Sequence, residues 1–374
     1  MKIGFDAKRL FNNFTGLGNY SRTLVSGINQ VAPVHELYLF TPKKKYHNDS
    51  RDFFKEPYYT VTPKTRYKAY WRSVSSVRMI KQLKLDIFHG LSHELPLGIK
   101  KSGVKSVVTI HDLIYKTYPN DFSFFDRMIY DFKFSYACKN ADKIIAVSQS
   151  TKNDIIKYYG TPESKIEVIY QSCHEQFKQA LSDNEIMNVL LPYQLPSQFM
   201  LFVGSIIERK NLLNLIKAIE LLPETIKLPL VVVGKGNSYL KKIKAYLKEK
   251  KLEERIVFAP QVLYKDLPAL YQKASVFIYP SVYEGFGIPV IEALWSKTPV
   301  ITSNCSSMPE AAGAGAFLCN PKEPASIAEG IVKIIGNKNY AQELIEKGSE
   351  HIKNFENDVV AKKVLGLYQS LLNK

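Results

Sequence analysis

Short, nearly continuous apolar runs alternate with amphipathic stretches along a chain of 374 residues. This alternation constrains the fold more than any single motif. A strand that faces water on one side reads polar at every second residue. A strand covered on both faces reads apolar throughout, and when helices separate such strands the sheet is parallel. In the first half the strand candidates are Lys2–Asp6, Glu36–Thr41, Asp86–His89, Val104–Ile110, Asp142–Val147 and Ile166–Tyr170. Helical patterns lie between them at Asn19–Val31, Tyr67–Lys84, Phe122–Lys139 and Gln149–Tyr159. Residues 175–197 are polar and carry Pro192 and Pro196, which breaks the pattern. It resumes with strands Phe199–Val203, Leu230–Val233, Ile256–Phe258, Val276–Tyr279 and Val300–Thr302. The helices of that half are Asn211–Leu222, Tyr239–Lys251, Pro268–Lys273 and Ile288–Trp295. The expected fold class is α/β, with two tandem Rossmann-like doubly wound domains facing across a cleft. The expected boundaries are a first domain over 1–180, a linker over 181–198 and a second domain over 199–356. A C-terminal helix over 357–374 is expected to cross back to the first domain.

Bulk properties exclude some classes. No apolar run approaches the roughly 18 residues of a membrane span, and the start Met1-Lys2-Ile3-Gly4-Phe5-Asp6 has no signal-peptide core. Cys138, Cys173, Cys305 and Cys319 lie far apart without a CxxC pair, as expected of free thiols in a cytoplasmic protein. The net charge of +16 leans towards the first half and favours anionic partners.

The most informative segment is Pro280-Ser281-Val282-Tyr283-Glu284-Gly285-Phe286-Gly287-Ile288-Pro289-Val290-Ile291-Glu292-Ala293, which leaves a strand and enters a helix. Glycines there let the backbone turn and approach a ligand, and helix-start N–H groups favour an anion. A carboxylate accepts paired hydrogen bonds from a vicinal diol. Glu292 is thereby suited to a ribose and Glu284 to a transferred sugar. An ordinary strand–turn–helix with two solvated glutamates has the same spacing. A second segment, Gly204-Ser205-Ile206-Ile207-Glu208-Arg209-Lys210-Asn211, follows a strand and puts two fixed cations at a helix start. Such cations stabilise charge building on a departing diphosphate, and Asn211 is placed to cap the helix. In the first half, Thr15-Gly16-Leu17-Gly18-Asn19-Tyr20 opens a helix and His111-Asp112-Leu113 ends a strand.

Together these segments resemble the signature of glycosyltransferase family 4, retaining enzymes of the GT-B fold, over nearly the whole chain. They are closest to the mannosyltransferases of bacterial surface-polysaccharide assembly. The resemblance implies catalytic roles for Arg209, Lys210, Glu284 and His111. It implies donor contacts at Gly16, Gly18, Gly204, Ser205, Val262, Phe286, Gly287, Ile288 and Glu292. His93 and Asp112 are expected on the acceptor side. It also implies a nucleotide-sugar donor, GDP-mannose or UDP-glucose, a glycan or lipid-linked acceptor, and no metal or other cofactor. Two departures stand out. Ala259 occupies a position where the family has Gly, and Phe355 lacks the usual second aromatic.

Other readings compete. The histidines of His89-Gly90-Leu91-Ser92-His93-Glu94 would need a helix to bind zinc, yet they follow a strand and flank a glycine. An acceptor loop or plain packing fits better. Gly234-Lys235-Gly236 lacks the GxxxxGK[ST] pattern of an ATPase phosphate loop. A nucleotide-sugar epimerase of the same fold is one rival for the whole chain. A non-catalytic basic nucleic-acid binder is another, though no RNA-binding aromatic motif supports it, and no nucleic-acid partner is expected. Finally, Arg66, Lys68, Arg72, Arg78, Lys81 and Lys84 accompany a stripe of Tyr67, Tyr70, Trp71, Val74, Val77 and Ile80, with no acidic residue before Asp86. This predicts peripheral, salt-sensitive contact with an anionic membrane, at the inner face of the plasma membrane. A helix packed on its own sheet with a solvated basic face is the competing reading.

Overall fold

The computed structural model describes residues 1–373. They form two compact units. The first comprises Met1–Cys173 and the segment from Phe355 onward, and the second His174–Asn354.

In the first unit, seven strands form a wholly parallel sheet in the order β3-β2-β1-β4-β5-β6-β7. They are β1 (Lys2–Asp6), β2 (Glu36–Phe40), β3 (Tyr58–Val61), β4 (Ile87–Gly90), β5 (Lys105–Ile110), β6 (Lys143–Ala146) and β7 (Ile166–Val168). The second unit has six, all parallel, in the order β10-β9-β8-β11-β12-β13. They are β8 (Met200–Val203), β9 (Leu230–Val233), β10 (Ile256–Phe258), β11 (Val276–Tyr279), β12 (Val300–Ser303) and β13 (Ala316–Cys319). The central strands β4, β9, β11 and β12 are buried at every residue; β9 and β11 accordingly read as unbroken apolar runs, while β4 and β12 carry His89, Thr302 and Ser303 near their carboxyl ends.

The first sheet separates two apolar layers. In the first unit, Ile3, Phe5, Leu24, Ile28, Val364 and Tyr368 pack on one face. Phe40, Trp71, Ile80, Ile110, Phe134 and Ile144 pack on the other. The helix Asn357–Leu372 belongs to the first layer and lies along the helix Gly16–Val31. Gly27 permits that approach: a Cβ there would stand 3.2 Å from the Asn357 carbonyl oxygen.

The strand order reverses between β1 and β4 and again between β8 and β11. At such a reversal, neighbouring crossovers leave in opposite directions. A crevice opens beyond the carboxyl ends of the strands, where ligands of doubly wound sheets bind.

Three expectations meet a different structure. The stretch expected as a linker holds the helix Asp183–Leu190, with the Ser182–Glu185 pair forming a capping box. That helix packs on the helix Leu267–Lys273 within the second unit. The units divide between Cys173 and His174, ahead of the expected position. The third concerns the basic segment before Asp86. Its helix is interrupted by a π turn over Trp71–Ser75, which shifts the phase of the residues that follow. Trp71 and Ile80 are buried, whereas Tyr67 and Tyr70 are each 61% exposed. The single stripe therefore does not form. Arg72, counted above among the solvated charges, is buried. Its Nε and Nη2 donate to the two Asp6 carboxylate oxygens at 3.0 and 2.5 Å, and its Nη1 to Glu94 at 2.6 Å.

Candidate active site

The second unit gathers its ionisable groups at the reversal point. β8 ends at Val203, and the chain turns through Gly204, whose φ of +155° suits glycine. A Cβ at Gly234 would stand 1.9 Å from the Gly204 carbonyl oxygen, and one at Gly236 2.6 Å from that of Ile206. The two glycines of Gly234-Lys235-Gly236 therefore allow this loop to lie against them. The loop exposes Ser205 and delivers Arg209 and Lys210 to the carboxyl end of β11.

There Oε1 of Glu284 receives four groups. Lys210 Nζ lies at 2.5 Å, Ser281 Oγ at 2.7 Å, Arg209 Nη1 at 2.8 Å and Tyr279 OH at 3.0 Å. Lys210 also donates to the Tyr279 hydroxyl, and Arg209 to the Tyr283 carbonyl. The side chain of Glu284 is 12% exposed. Burial pushes its carboxyl up. The charges of Lys210 and Arg209 outweigh that effect and, with hydrogen bonds from Lys210 and Ser281, hold it at about 2. Glu284 is thus a carboxylate at any ordinary pH, and the three groups together carry one net positive charge.

Backbone geometry supports the cluster. Asn211 and Ser306 hold φ of +63° and +57°, uncommon for residues other than glycine. Asn211 does not cap its helix through its side chain. Its Nδ2 donates to the Pro280 and Pro321 carbonyls at 3.1 and 2.6 Å, tying two loops together. Ser306 Oγ accepts from the Glu284 N–H at 3.1 Å and donates to the Glu284 carbonyl at 2.9 Å.

Glu292 sits in a contrasting environment on the helix Ile288–Trp295. It is 5% exposed, with Tyr271 OH 3.1 Å and Tyr264 OH 3.4 Å from its two oxygens. Burial raises its carboxyl to about 8, against the opposing pull of the two tyrosine hydroxyls. Gly287 caps this helix at φ +116°, and a Cβ there would stand 2.6 Å from Met308 Cε. The Phe286 side chain is buried, while Ile288 and Val262 are half-buried.

In the first unit, the carboxyl ends of β4 and β5 bring three histidines together. His111 is 5% exposed; its Nε2–H donates to the Leu91 carbonyl at 2.9 Å. Its Nδ1 accepts from Gln171 Nε2 at 3.3 Å. Burial and the neighbouring His93, partly offset by the Leu91 bond, depress its pKa to about 3, so the ring is neutral with its proton on Nε2. His93 holds φ of +61° and stacks on Phe134 at 4.2 Å. His89 bridges the Thr109 and Tyr368 hydroxyls at 2.8 and 2.6 Å and packs the C-terminal helix against the sheet. Asp112 accepts from the Ile114 N–H at 3.1 Å and shapes the turn after His111. No group of three or more His, Cys, Asp or Glu suited to a metal ion occurs among the described residues.

The two glycines near the start of this unit differ. The helix begins at Gly16, so both lie within its first turn rather than in a loop. A Cβ on Gly18 would come within 1.7 Å of the Asn13 carbonyl oxygen; one on Gly16 would meet nothing. Gly18→Ala is accordingly expected to lower stability by about 1–3 kcal/mol, and Gly16→Ala by less than about 0.5 kcal/mol. Denaturant unfolding of the two variants checks this, and equal midpoints would contradict it.

The composition of the site missed several groups in the sequence. Tyr279 precedes the segment that drew attention and Ser281 lies within it, but only the fold turns them onto Glu284. Tyr264, Tyr271 and Gln171 carried no local signal, since their partners lie 21 or more residues away.

Known proteins are similar to this chain over most of its length. A family model described as "Glycosyltransferase Family 4" matches residues 14–173, and one described as "Glycosyl transferases group 1" matches residues 191–351. The chain belongs to glycosyltransferase family 4. Among curated relatives of this glycosyltransferase, the O-antigen chain mannosyltransferase B of Escherichia coli is 27% identical over 397 residues. That match covers 99% of this chain and all of the relative. The O-antigen chain mannosyltransferase RfbU of Salmonella typhimurium is 27% identical over 87% of the chain and 89% of its own length. Among solved structures, a glycosyltransferase from Rickettsia africae superposes with a TM-score of 0.76 at 18% identity, covering 99% and 98% of the two chains. HepE from Anabaena, solved with UDP and glucose, gives 0.74 at 16% identity over 99% of each chain. At these identities the structures establish the shared GT-B fold of the glycosyltransferase.

Proposed function

We infer that this glycosyltransferase is a retaining hexosyltransferase. It moves mannose from a nucleoside diphosphate sugar, with GDP-mannose ahead of UDP-glucose, to a glycan or lipid-linked acceptor of surface-polysaccharide assembly. The observation that carries this reading is the convergence of Arg209 and Lys210 on one carboxylate at the reversal point of the second sheet. Glu284 holds both cations in place before a ligand arrives, and one positive charge remains over for a diphosphate. The names of the curated relatives favour mannose and O-antigen chains.

In the proposed reaction the bond from the sugar's anomeric carbon to the leaving phosphate oxygen breaks as the acceptor oxygen bonds to the same face of that carbon. The acceptor's proton passes to the departing phosphate oxygen, so no side-chain base is needed. Arg209 and Lys210 stabilise the charge on the leaving diphosphate, and Glu292 accepts the ribose hydroxyls. Gly204, Ser205, Gly287 and Ile288 approach the donor through backbone groups. In the first unit His111 meets the transferred sugar once Gln171 releases its Nδ1, with His93 and Asp112 on the acceptor side. The enzyme works on the cytoplasmic leaflet without a metal ion.

Thermal-shift measurements across a panel of nucleotide sugars check the donor. GDP-mannose is expected to raise the melting temperature most, because binding to the folded state alone stabilises it by mass action. Transfer from that donor should persist in EDTA, need an acceptor, and keep the anomeric configuration by NMR. Donor conversion without acceptor would favour an epimerase, and an inverted product would overturn the retaining assignment.

A further inference from the structure

The reversal between β1 and β4 collects charge at the carboxyl edge of the first sheet. Asp6 closes β1, and Glu94 follows β4. Both carboxylates are engaged. Arg72 donates to both oxygens of Asp6, while Oε2 of Glu94 takes Arg72 at 2.6 Å and Lys133 at 3.1 Å. These four side chains line a crevice of about 380 Å³. Two carboxylates and two cations leave the quartet without net charge.

Lys8 and Arg9 follow β1 directly and add two more cations. Both are half-buried, yet among the described residues neither side chain forms a hydrogen bond or an ion pair. Lys8 stands close to the quartet. Burial, then Arg72 and Arg9, hold its ammonium below the usual lysine range, against the pull of Glu94 and Asp6. The charge of Arg9 is felt by the neutral rings of His93 and His111. Asp112, beside His111, accepts from the Ile114 N–H, and Asp131 is paired with Lys116. With Asp112 counted, Lys8, Arg9, Arg72 and Lys133 still outnumber the carboxylates at this edge. Half-buried charge without a counter-ion is costly, and its concentration at a crevice marks a functional site.

We propose that Lys8 and Arg9 bind a phosphoryl group carried by the acceptor. The chemistry selects this group. A guanidinium fork takes two phosphoryl oxygens, and an ammonium beside it takes a third. A carboxylate has only two oxygens and would leave Lys8 unmatched, and a sugar hydroxyl brings no counter-charge. The donor's diphosphate has its own pair of cations, Arg209 and Lys210, in the second unit. Asp6 and Glu94, held by Arg72, keep the edge from repelling the acceptor's neutral hydroxyls while leaving the excess charge to Lys8 and Arg9. The inference rests on the acceptor proposed above and names the charge it carries and the two residues that read it.

Octyl mannosyl diphosphate and octyl mannoside differ only in the diphosphate. Each is titrated calorimetrically into the full chain, with GDP and UDP in excess to fill the donor's diphosphate site. The diphosphate ligand is expected to bind at least about tenfold more tightly, and high salt should narrow the gap. Lys8→Gln combined with Arg9→Gln should bring the two ligands to within about twofold. Melting curves check that this variant folds. Should it not, Arg9→Lys, which keeps the charge and loses the fork, should bind the diphosphate ligand several-fold more weakly than the parent. Equal affinities in the parent, a gap preserved in the double variant or in Arg9→Lys, or a gap that vanishes when GDP and UDP are added would overturn the proposal. These are binding readouts and need no turnover. Failure to transfer mannose from any nucleotide sugar would count against the proposed reaction and leave the phosphoryl site standing.

Discussion

Lys210→Ala is expected to cut turnover by at least about a hundredfold, the scale for losing one preorganised group that stabilises developing charge. The fold should survive, because Glu284 keeps Arg209, Ser281 and Tyr279 as partners. Arg209→Ala should cost as much turnover and more stability. Arg209 is buried, and it ties the Tyr283 carbonyl as well as Glu284. Breaking a buried charge pair costs about 3–5 kcal/mol when one side is left uncompensated. With Lys210 still in place the loss should fall towards the lower figure. Single-turnover kinetics with saturating donor, alongside denaturant unfolding, separate the two effects. Near-parental turnover in either variant would remove the cations from the reaction. Equal stability of the two would mean that Arg209 has no structural part.

The second large effect is expected from pH. Glu292 must be ionised to accept two ribose hydroxyls, and its pKa of about 8 leaves it mostly protonated near neutrality. Donor affinity should therefore rise by about 50-fold between pH 6 and pH 8, following the ionised fraction. Glu292→Gln should bind weakly and show no such rise. The stability of the free protein should move the opposite way. A carboxyl whose folded pKa lies above its ordinary 4.5 stabilises the fold below that value, and this is lost as pH rises through about 8. Glu284 has the reverse sign: its folded pKa of about 2 adds stability above pH 4.5 that disappears as pH falls towards 2. Isothermal titration with the donor across this range, and melting curves of the free protein, provide the check. A flat affinity profile in the parent enzyme would exclude Glu292 from the ribose contact.

The central strands were legible because burial on both faces leaves them mostly apolar, with His89, Thr302 and Ser303 confined to the ends of β4 and β12. β3 and β13 escaped for the opposite reason. They are edge strands, with Tyr59 and Leu318 exposed; Thr60 interrupts β3, and the four apolar residues of β13 form a short run between Gly315 and Asn320. The helix Asp183–Leu190 did announce itself. Ser182-Asp183-Asn184-Glu185 has the spacing of a capping box ahead of Ile186 and Leu190, but the prolines that follow suggested a linker. The π turn at Trp71–Ser75 had no such signal, and a period of 3.6 residues carried across it put Arg72 on the wrong side. At the site, Arg209, Lys210, Glu284 and Glu292 stood out as residue types. Their division into an ionised and a largely protonated carboxylate did not, since it depends on partners fixed by long-range packing.

The crossing of the last helix has a consequence for how the chain assembles as it is made. Val360, Val364, Leu365 and Tyr368 complete the layer formed by Leu24, Val25 and Ile28, some 330 residues earlier. The second unit, 174–354, is contiguous and has all its residues before that helix is synthesised. The first unit must wait, with one sheet face incompletely covered, until the ribosome has passed Leu371. Domains usually mature in the order in which they emerge. Here the half that begins the polypeptide is the half that finishes last. A truncation just after Asn354 therefore removes an interior wall of the first unit rather than a tail.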